Sequence, residues 1–292
     1  MKNILITGCS SGFGLMAAKH LAEKGHHVYA SMRNTNGKNK TKVSELLEFA
    51  ATDHLKLDVL DIDVTSDESV NKAVAQIEHI DVLINNAGRG YGGPIESFTS
   101  SQVKDQLDLN IIGTFRVAKA VLPKMRAQES GLIIQVSSIA GRCAVPGFGI
   151  YHASKWGLEG LSESMRYELA PFGIDVVVVQ PGPFSTNFFN AIIPADSEDI
   201  ATAYQHVGAF VENFGNQTHA AFEDSSAPTD PMLIVRTFDE LIAMPNGTRP
   251  LRTMVGLEFG LQAINDVTEP IRTGLLNTFE IEDLDGPKIQ SN

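Results

Sequence analysis

Short apolar runs alternate with longer amphipathic segments along the first two thirds of the chain, and this alternation restricts the fold more than any other feature. The runs are too uniformly apolar to leave one face in water, so each predicts a strand buried on both faces. Buried strands separated by helices predict an α/β fold, a doubly wound parallel sheet with helices on both faces. Six strands are predicted, at residues 4–7, 28–32, 57–64, 82–85, 132–137 and 175–180. The main helices are predicted at residues 13–24, 101–125 and 151–169.

The 292 residues are expected to form a single domain, residues 1–292, because no internal repeat or low-complexity tract divides them. After Pro181 the rhythm changes, and residues from about 183 to 227 are predicted to form an insertion. Asp230 and Pro231 are typical of a helix start, as N-cap and first helical residue. Residues 33–42 are predicted to be a polar loop, and the C-terminus from about residue 282 is predicted to be frayed.

The net charge of −12 argues against a nucleic-acid partner, because phosphates would be repelled over most of the surface. The apolar runs are far shorter than a membrane span, and the first is too short for a signal-peptide core. Cys9 and Cys143 are expected to be reduced thiols, and no residue spacing suggests a metal site. We therefore expect a cytoplasmic protein without membrane or metal.

The stretch "TGCSSGFG", residues 7–14, lies between the first predicted strand and the first helix. Glycines at this position let the backbone turn tightly and approach a pyrophosphate, and the helix N-terminus offers free N–H groups. The spacing is T-G-x-x-x-G-x-G rather than G-x-G-x-x-G. The alternative is a simple tight turn without a ligand.

A second cluster consists of Ser138, Tyr151 and Lys155. Positions i and i+4 share one face of a helix, so Lys155 is expected beside Tyr151. A neighbouring ammonium favours the phenolate and lowers a phenol pKa from its usual value near ~10. The alternative is that each residue alone has an ordinary packing or surface role.

These features together resemble the short-chain dehydrogenase/reductase family, in its retinol and 17β-hydroxysteroid dehydrogenase-like branch. The resemblance covers about 190 residues, from Asn3 to Phe189. The motifs that carry it are "TGCSSGFG" (7–14), "IDVT" (62–65), "NNAG" (85–88), Asn110, "SS" (137–138), "YHASK" (151–155) and "PGPFST" (181–186).

The resemblance implies a single NAD(P)-binding Rossmann domain with a catalytic tetrad. Tyr151 is then the general acid and base, and Ser138 holds the reacting oxygen. Lys155 lowers the pKa of Tyr151 and binds the nicotinamide ribose. Asn110 holds a water that relays protons to Lys155; the alternative is a solvent-facing asparagine. His152 is expected to be structural, because it points away from Tyr151 around the helix.

The resemblance also implies further cofactor contacts. Asn85 and Gly88 are expected on the adenosine side, Asp63 and Val64 at the adenine, and Thr186 at the nicotinamide carboxamide or a phosphate. The full predicted set is Gly8, Ser11, Gly12, Phe13, Gly14, Arg33, Asp63, Val64, Asn85, Ala87, Gly88, Tyr151, Lys155, Pro181, Gly182 and Thr186.

The second predicted strand ends in "VYASMR", without the acidic residue that usually binds the ribose 2′-hydroxyl of NAD. Met32 stands in the acidic position, and the planar guanidinium of Arg33 suits the 2′-phosphate of NADP. Lys38, Lys40 and Lys42 are expected to add positive charge. NADP(H) is therefore favoured over NAD(H), the alternative being that Arg33 merely opens a surface loop.

We expect an oxidoreductase that interconverts a ketone or aldehyde and an alcohol by hydride transfer. The substrate is expected to be a small, apolar molecule that binds next to the insertion, against Val145, Phe148, Phe184, Phe188 and Phe189; the alternative is that these residues are core or lid packing. A non-catalytic dinucleotide sensor has the same fold. A sugar-nucleotide epimerase or dehydratase is disfavoured, because the chain lacks T-G-x-x-G-x-x-G and a longer C-terminal domain. The resemblance implies a homodimer or homotetramer, paired through the helices that carry Asn110 and Tyr151.

Overall fold

The computed structural model describes residues 1–288. All six predicted strands form, with bounds that differ from the prediction by at most three residues. The strands of the structure are β1 (Asn3–Ile6), β2 (His27–Met32), β3 (Leu57–Asp61), β4 (Val82–Asn85), β5 (Tyr91–Gly92), β6 (Gly131–Val136), β7 (Ile174–Pro181), β8 (Ile193–Pro194) and β9 (Arg252–Val255).

The helices agree with the predicted alternation, and several begin at positions that the sequence did not indicate. They are α1 (Gly12–Glu23), α2 (Lys40–Thr52), α3 (Asp67–Val74), α4 (Ser100–Leu107), α5 (Gly113–Ala127), α6 (Gly149–Leu169), α7 (Glu198–Ala203), α8 (Gln205–Glu223), α9 (Met232–Ala243) and α10 (Gln262–Thr278). A π-helical turn, Asp108–Ile112, separates α4 from α5.

Seven strands form one parallel sheet in the order β3-β2-β1-β4-β6-β7-β9. The chain runs outward from β1 to β3, then returns to the other side of β1 with β4. Ligands of doubly wound sheets bind at the carboxyl ends of the strands where the order reverses, here between β1 and β4. The predicted single-domain Rossmann fold is confirmed.

Both faces of the sheet are covered. Within β1, Ile4 and Ile6 pack in the core cluster that includes Leu21 of α1 and Phe238 of α9. Leu5 points to the opposite face and packs in the cluster that includes Val117 of α5. Adjacent strand residues face opposite sides, so a strand buried on both faces needs an unbroken apolar run.

Two elements depart from the predicted pattern. The loop predicted at residues 33–42 ends early, because α2 begins at Lys40 and buries Leu46 and Ala50. The edge strand β9 was not predicted, since its four residues are only half-buried and show no apolar run. Helix α9 begins at Met232 with Pro231 at its N-cap position, one residue later than predicted, and Asp230 Oδ1 accepts a hydrogen bond from the Met232 backbone N–H at 2.9 Å.

The chain end is held more firmly than predicted. Asp285 accepts hydrogen bonds from Arg166 Nε at 2.9 Å and from Arg272 Nη2 at 2.7 Å. The expected fraying therefore does not begin at residue 282, and residues 289–292 lie outside the described part. In the described residues 1–288, a helix with the length and apolar character needed to cross a bilayer is not found.

Candidate active site

A cavity of about 700 Å³ lies at the carboxyl ends of the parallel strands. The glycine-rich turn lines one end, and phenylalanine side chains line the other. The predicted cofactor-binding residues that line it are Gly8, Ser11, Gly12, Phe13, Arg33, Asp63, Val64, Ala87, Gly88, Tyr151, Lys155, Pro181, Gly182 and Thr186. Of the predicted cofactor set, Gly14 and Asn85 do not line it.

The turn between β1 and α1 requires glycine for two different reasons. Gly8 and Gly12 have φ of +78° and +56°, a region that L side chains rarely adopt. A Cβ on Gly14 would lie 2.6 Å from the Gly8 carbonyl oxygen, so Gly14 supports the turn from behind. A Cβ on Gly12 would meet no atom within 4 Å, because this position faces the open cavity.

The N-terminus of α1 opens toward the same space. Ser11 precedes the helix in an extended conformation and makes no side-chain cap, so the first N–H groups of the helix have no cap partner there. Free N–H groups and the helix dipole attract anions. The turn therefore fits the pyrophosphate of a dinucleotide.

Asn86, which the sequence analysis did not single out, fastens this turn to β4. Its Nδ2 donates to the Thr7 carbonyl at 2.9 Å, while Thr7 Oγ1 accepts the backbone N–H groups of Asn86 and Ala87, both at 3.0 Å. Asn85 points the other way and donates to the Thr114 carbonyl at 3.2 Å. The expectation that Asn85 lines the adenosine side is wrong. Strand alternation could have identified Asn86 as the cavity residue.

Positively charged side chains that follow the carboxyl end of β2 line the cavity. Met32, Arg33 and Lys38 line the cavity, whereas Lys40 and Lys42 do not. Lys42 pairs instead with Glu45 at 2.7 Å. Asn39, also missed by the sequence analysis, lines the cavity and donates to the Arg33 carbonyl at 2.7 Å, which fixes the backbone of that residue.

Asp63 lines the same region and stays ionised. Its burial favours the neutral acid, but the hydroxyl and backbone N–H of Thr65 donate to its carboxylate at 2.7 and 3.0 Å. These bonds, with the charges of Arg33 and Arg116, hold the pKa of Asp63 below its usual value.

Tyr151 and Lys155 lie one turn apart near the N-terminus of α6, as predicted. Lys155 Nζ is 5.7 Å from the centre of the Tyr151 ring and donates to the Val136 carbonyl at 2.9 Å. Ser138 Oγ accepts from the Ala140 N–H at 3.1 Å, donates to the Pro181 carbonyl at 3.3 Å, and lies close enough to Tyr151 to affect its pKa. The structure therefore brings Ser138, Tyr151 and Lys155 together.

Burial dominates the ionisation of both groups. It raises the pKa of Tyr151 to about 12, opposed by the effect of the Ser138 hydroxyl. Burial also lowers the pKa of Lys155 to about 8, opposed by the charge of Glu159. The sequence argument predicted a lowered phenol pKa. In this structure, desolvation raises the pKa of Tyr151 instead.

Asn110 is in the π-helical turn and is only 1% exposed. Its amide nitrogen donates to the Arg89 carbonyl and to Ser154 Oγ, both at 3.0 Å, and its oxygen accepts the Arg89 N–H at 3.2 Å. Asn110 is therefore not solvent-facing, and its side chain ties α6 to the segment after β4. π-turns are frequent at functional sites. The water relay to Lys155 stays a prediction.

His152 is structural, as expected. Its ring nitrogens bond the Ala140 carbonyl at 2.9 Å and the Val145 N–H at 3.1 Å, so it shapes the loop between Ser138 and α6. Neither ring nitrogen is free for catalysis.

Aromatic rings line the end of the cavity beyond Tyr151. The centres of the Tyr151 and Phe188 rings are 5.6 Å apart. Val145, Phe148, Phe184 and Phe189 line the cavity with them, and Phe184, which is 2% exposed, also packs in the core. Ile192 and Phe214 of the predicted insertion also line the cavity, together with Phe259, which comes from the chain after β9 and was not predicted.

A glycine-lined dinucleotide turn joined to a Ser, Tyr and Lys set defines an NAD(P)-dependent oxidoreductase that acts on CH–OH groups. The sequence profile of one family, described as short chain dehydrogenase, matches residues 2–197. The chain belongs to the short-chain dehydrogenase family. The expected retinol and 17β-hydroxysteroid dehydrogenase-like branch is also confirmed.

Two curated relatives and one solved structure illustrate the similarity. A 3-ketodihydrosphingosine reductase of Bacteroides thetaiotaomicron is 37% identical over 257 residues, which cover 87% of each chain. Human retinol dehydrogenase 8 is 41% identical over 193 residues, 64% of this chain and 60% of that protein. The crystal structure of a short-chain dehydrogenase from Streptomyces avermitilis matches with a TM-score of 0.74 at 29% identity, covering 96% of this chain and 98% of that one.

Proposed function

We propose that this chain is an NADP(H)-dependent oxidoreductase that interconverts an apolar ketone or aldehyde with its alcohol, with Tyr151 as general acid and base. One observation carries the proposal: Ser138, Tyr151 and Lys155 line a single cavity, between the dinucleotide turn and the phenylalanine rings. This position puts a proton donor where the cofactor end and the apolar end of the cavity meet.

Ser138 and Tyr151 line the same cavity, and the Ser138 hydroxyl lies close enough to the phenol to affect its pKa. A substrate carbonyl oxygen that accepts from both is held and polarised at that point. When bound, the nicotinamide supplies the hydride for reduction or accepts it in oxidation. Tyr151 donates its phenolic proton to the oxygen as the carbonyl is reduced, and takes a proton back when an alcohol is oxidised.

Lys155 is protonated at neutral pH, because its pKa of about 8 lies above 7. Its ammonium favours the phenolate that Tyr151 becomes after donating its proton. One of its N–H groups is used by the Val136 carbonyl, and the other two remain for the ribose hydroxyls of the cofactor.

The apolar end of the cavity supports an extended, apolar substrate. Phe148, Phe188, Phe189 and Phe214 surround it, and a Cβ on Gly90 would come within 3.2 Å of Phe188. One relative is named a reductase of a ketosphingoid base and another a retinol dehydrogenase. These names agree with a substrate that carries a long apolar part.

The preference for NADP(H) is supported by the residues at the end of β2. Met32 occupies the wall where an acidic residue would bind the 2′-hydroxyl of NAD, and Arg33 and Lys38 add two positive charges beside it. A 2′-phosphate would form charge-assisted hydrogen bonds with the guanidinium.

We also infer a homo-oligomer paired through α5, α6 and the π-helical turn, and a cytoplasmic location. Ile112, Phe115 and Trp156 are apolar side chains that these helices leave exposed. The free thiols of Cys9 and Cys143 agree with a reducing compartment. Light scattering of the wild type and of Trp156→Glu tests the pairing.

The central experiment measures NADPH consumption with a panel of apolar ketones and aldehydes. Tyr151→Phe is expected to lower kcat by about 10²–10⁴-fold while NADPH binding stays within about twofold. Tyr167→Phe, on the same helix but hydrogen-bonded to Arg272, is the matched control and should turn over normally. A Tyr151→Phe variant as active as the wild type would defeat the mechanism.

Cofactor choice is tested by comparing kcat/KM for NADPH and NADH. Loss of a charged hydrogen bond costs about 1.5–3 kcal/mol, so Arg33→Ala should lower kcat/KM for NADPH by about 10–100-fold and leave NADH nearly unchanged. Lys42→Ala, which does not line the cavity, serves as control. An unchanged NADPH preference in Arg33→Ala rejects the assignment.

A further inference from the structure

We propose that Glu159 is a positioning residue of this active site: its buried carboxylate keeps Lys155 charged and supports the loop that carries Ser138. The inference rests on the proposed oxidoreductase function. Glu159 follows Lys155 by four residues and Tyr151 by eight, so the three side chains lie on one face of α6. It is 3% exposed.

Both carboxylate oxygens are fixed by neighbouring strands. Oε1 accepts a hydrogen bond from Gln180 Nε2 at 3.0 Å, and Oε2 accepts one from Arg252 Nε at 2.8 Å. Gln180 directly precedes Pro181, which lines the cavity. The carboxylate therefore joins the catalytic helix to the ends of β7 and β9.

The same side chain packs under the loop after Ser138. A Cβ on Gly141 would lie 2.9 Å from Glu159 Cγ and 2.9 Å from Ser137 Oγ. Because no side chain separates them, the turn Ile139–Gly141 rests directly on Glu159. A change at Glu159 thus acts on the serine loop and on the lysine together.

The charges around Lys155 single out Glu159. Among the described residues, Glu159 is the one charged group whose field acts appreciably on Lys155, and it opposes the effect of burial. Strand β6 presents only the Val136 carbonyl to the ammonium. Asp108 of the π-helical turn pairs with Arg116 at 2.8 Å, and Arg252 is bound to the far side of the Glu159 carboxylate.

The consequence is a defined pH effect. The pKa of Lys155 is about 8 with Glu159 present. Removing that negative charge disfavours the ammonium, so the pKa falls further and Lys155 loses its proton at a lower pH than in the wild type. The alkaline limb of kcat/KM for carbonyl reduction should then move to lower pH.

The test compares Glu159→Gln with Glu163→Gln. Glu163 also pairs with Arg252, but lies one turn farther from Lys155, with 29% of its side chain exposed. Both variants weaken the ion pairing of Arg252, so both should lower the melting temperature. Only Glu159→Gln should shift the alkaline limb, by about one pH unit, as expected for loss of a neighbouring opposite charge.

The results of this test separate a failure of the Glu159 inference from a failure of the proposed function. A wild-type enzyme with turnover and a Glu159→Gln variant with an unshifted limb would overturn the inference and leave the proposed function intact. A wild type that consumes no NADPH with any substrate would instead refute the proposed function. If Glu159→Gln does not fold, the double variant Glu159→Gln/Arg252→Gln removes both charges of that pair and must still shift the alkaline limb to lower pH, because Glu159 is the charge that acts on Lys155.

Discussion

Replacing Thr7 by valine is expected to loosen the glycine-rich turn without removing any group that lines the cavity. Thr7 is 1% exposed and lies behind the turn. Its Oγ1 accepts two backbone N–H groups, those of Asn86 and Ala87, both at 3.0 Å. Valine keeps the shape of the side chain and removes the acceptor, so the Ala87 N–H loses its partner, whereas the Asn86 N–H keeps the Ile84 carbonyl at 3.1 Å.

The expected cost follows from those two bonds. A buried donor left without a partner costs about 1–3 kcal/mol, which is the expected cost at Ala87, and the weaker bonding of the Asn86 N–H adds to it before the structure relaxes. At roughly 2–4 °C per kcal/mol for a domain of this size class, a loss near 3 kcal/mol lowers the melting temperature by about 6–12 °C. NADPH affinity should fall as well, because Gly8 packs directly against Ala87: a Cβ there would lie 2.9 Å from Ala87 Cα.

Calorimetry and titration with NADPH measure both effects, and Thr7→Ser is the matched control. Serine keeps the acceptor oxygen and loses only a methyl group, so it should stay close to the wild type in both measurements. A valine variant with the melting temperature and NADPH affinity of the wild type would show that this hydroxyl does not secure the turn.

Three further results are expected. Phe188→Ala should raise KM for long apolar ketones more than for short ones, since its ring packs 5.6 Å from that of Tyr151; equal increases in KM would contradict this. Asp175→Asn should cost about 3–5 kcal/mol of unfolding free energy, because it leaves buried Arg166 and Arg249 without their shared anion, and denaturant titration measures the loss. The pKa of Asp285 is lowered: its burial is outweighed by Arg272, so its contribution to stability is present above the unfolded pKa near ~3.9 and is lost as pH falls through the folded value. The melting temperature of Asp285→Asn should therefore lie below that of the wild type at pH 7, and the two should converge in acid.

The sheet could be predicted because its strands carry their own signal. Most of the predicted strands are largely apolar and buried on both faces, which leaves few other ways to fold them, whereas β3, "LDVLD", exposes Asp58 and Asp61. The edge strand β9 lacks that signal, because its residues "RTMV" are half-buried. They form a strand by pairing with β7. Helix α2 was missed because its first residues, from Lys40, are polar and continue the loop composition.

In the candidate site, too, some positions could be predicted from local sequence and others could not. The positions of Tyr151 and Lys155 follow from helical spacing, which acts over one turn. Phe214 and Phe259 reach the cavity through the packing of the insertion and of the chain after β9. This tertiary packing cannot be predicted from a local sequence pattern. The sequence analysis assigned Asn85 to the cavity, whereas Asn86 lines it. An error of one residue is enough, because neighbouring residues of a strand face opposite sides.

The direction in which the Tyr151 pKa shifts could not be predicted from the local sequence, because desolvation depends on the whole fold. A phenol with a pKa of about 12 keeps its proton, and an ammonium with a pKa of about 8 keeps its charge at neutral pH. Tyr151 is thus ready to donate a proton, as reduction requires. Oxidation needs the phenolate instead, and the positive charge of an oxidised nicotinamide beside Tyr151 would favour it. In the proposed mechanism, Tyr151 serves as acid or base according to the charge of the bound cofactor, because a positive cofactor charge, added to that of Lys155, would favour the phenolate.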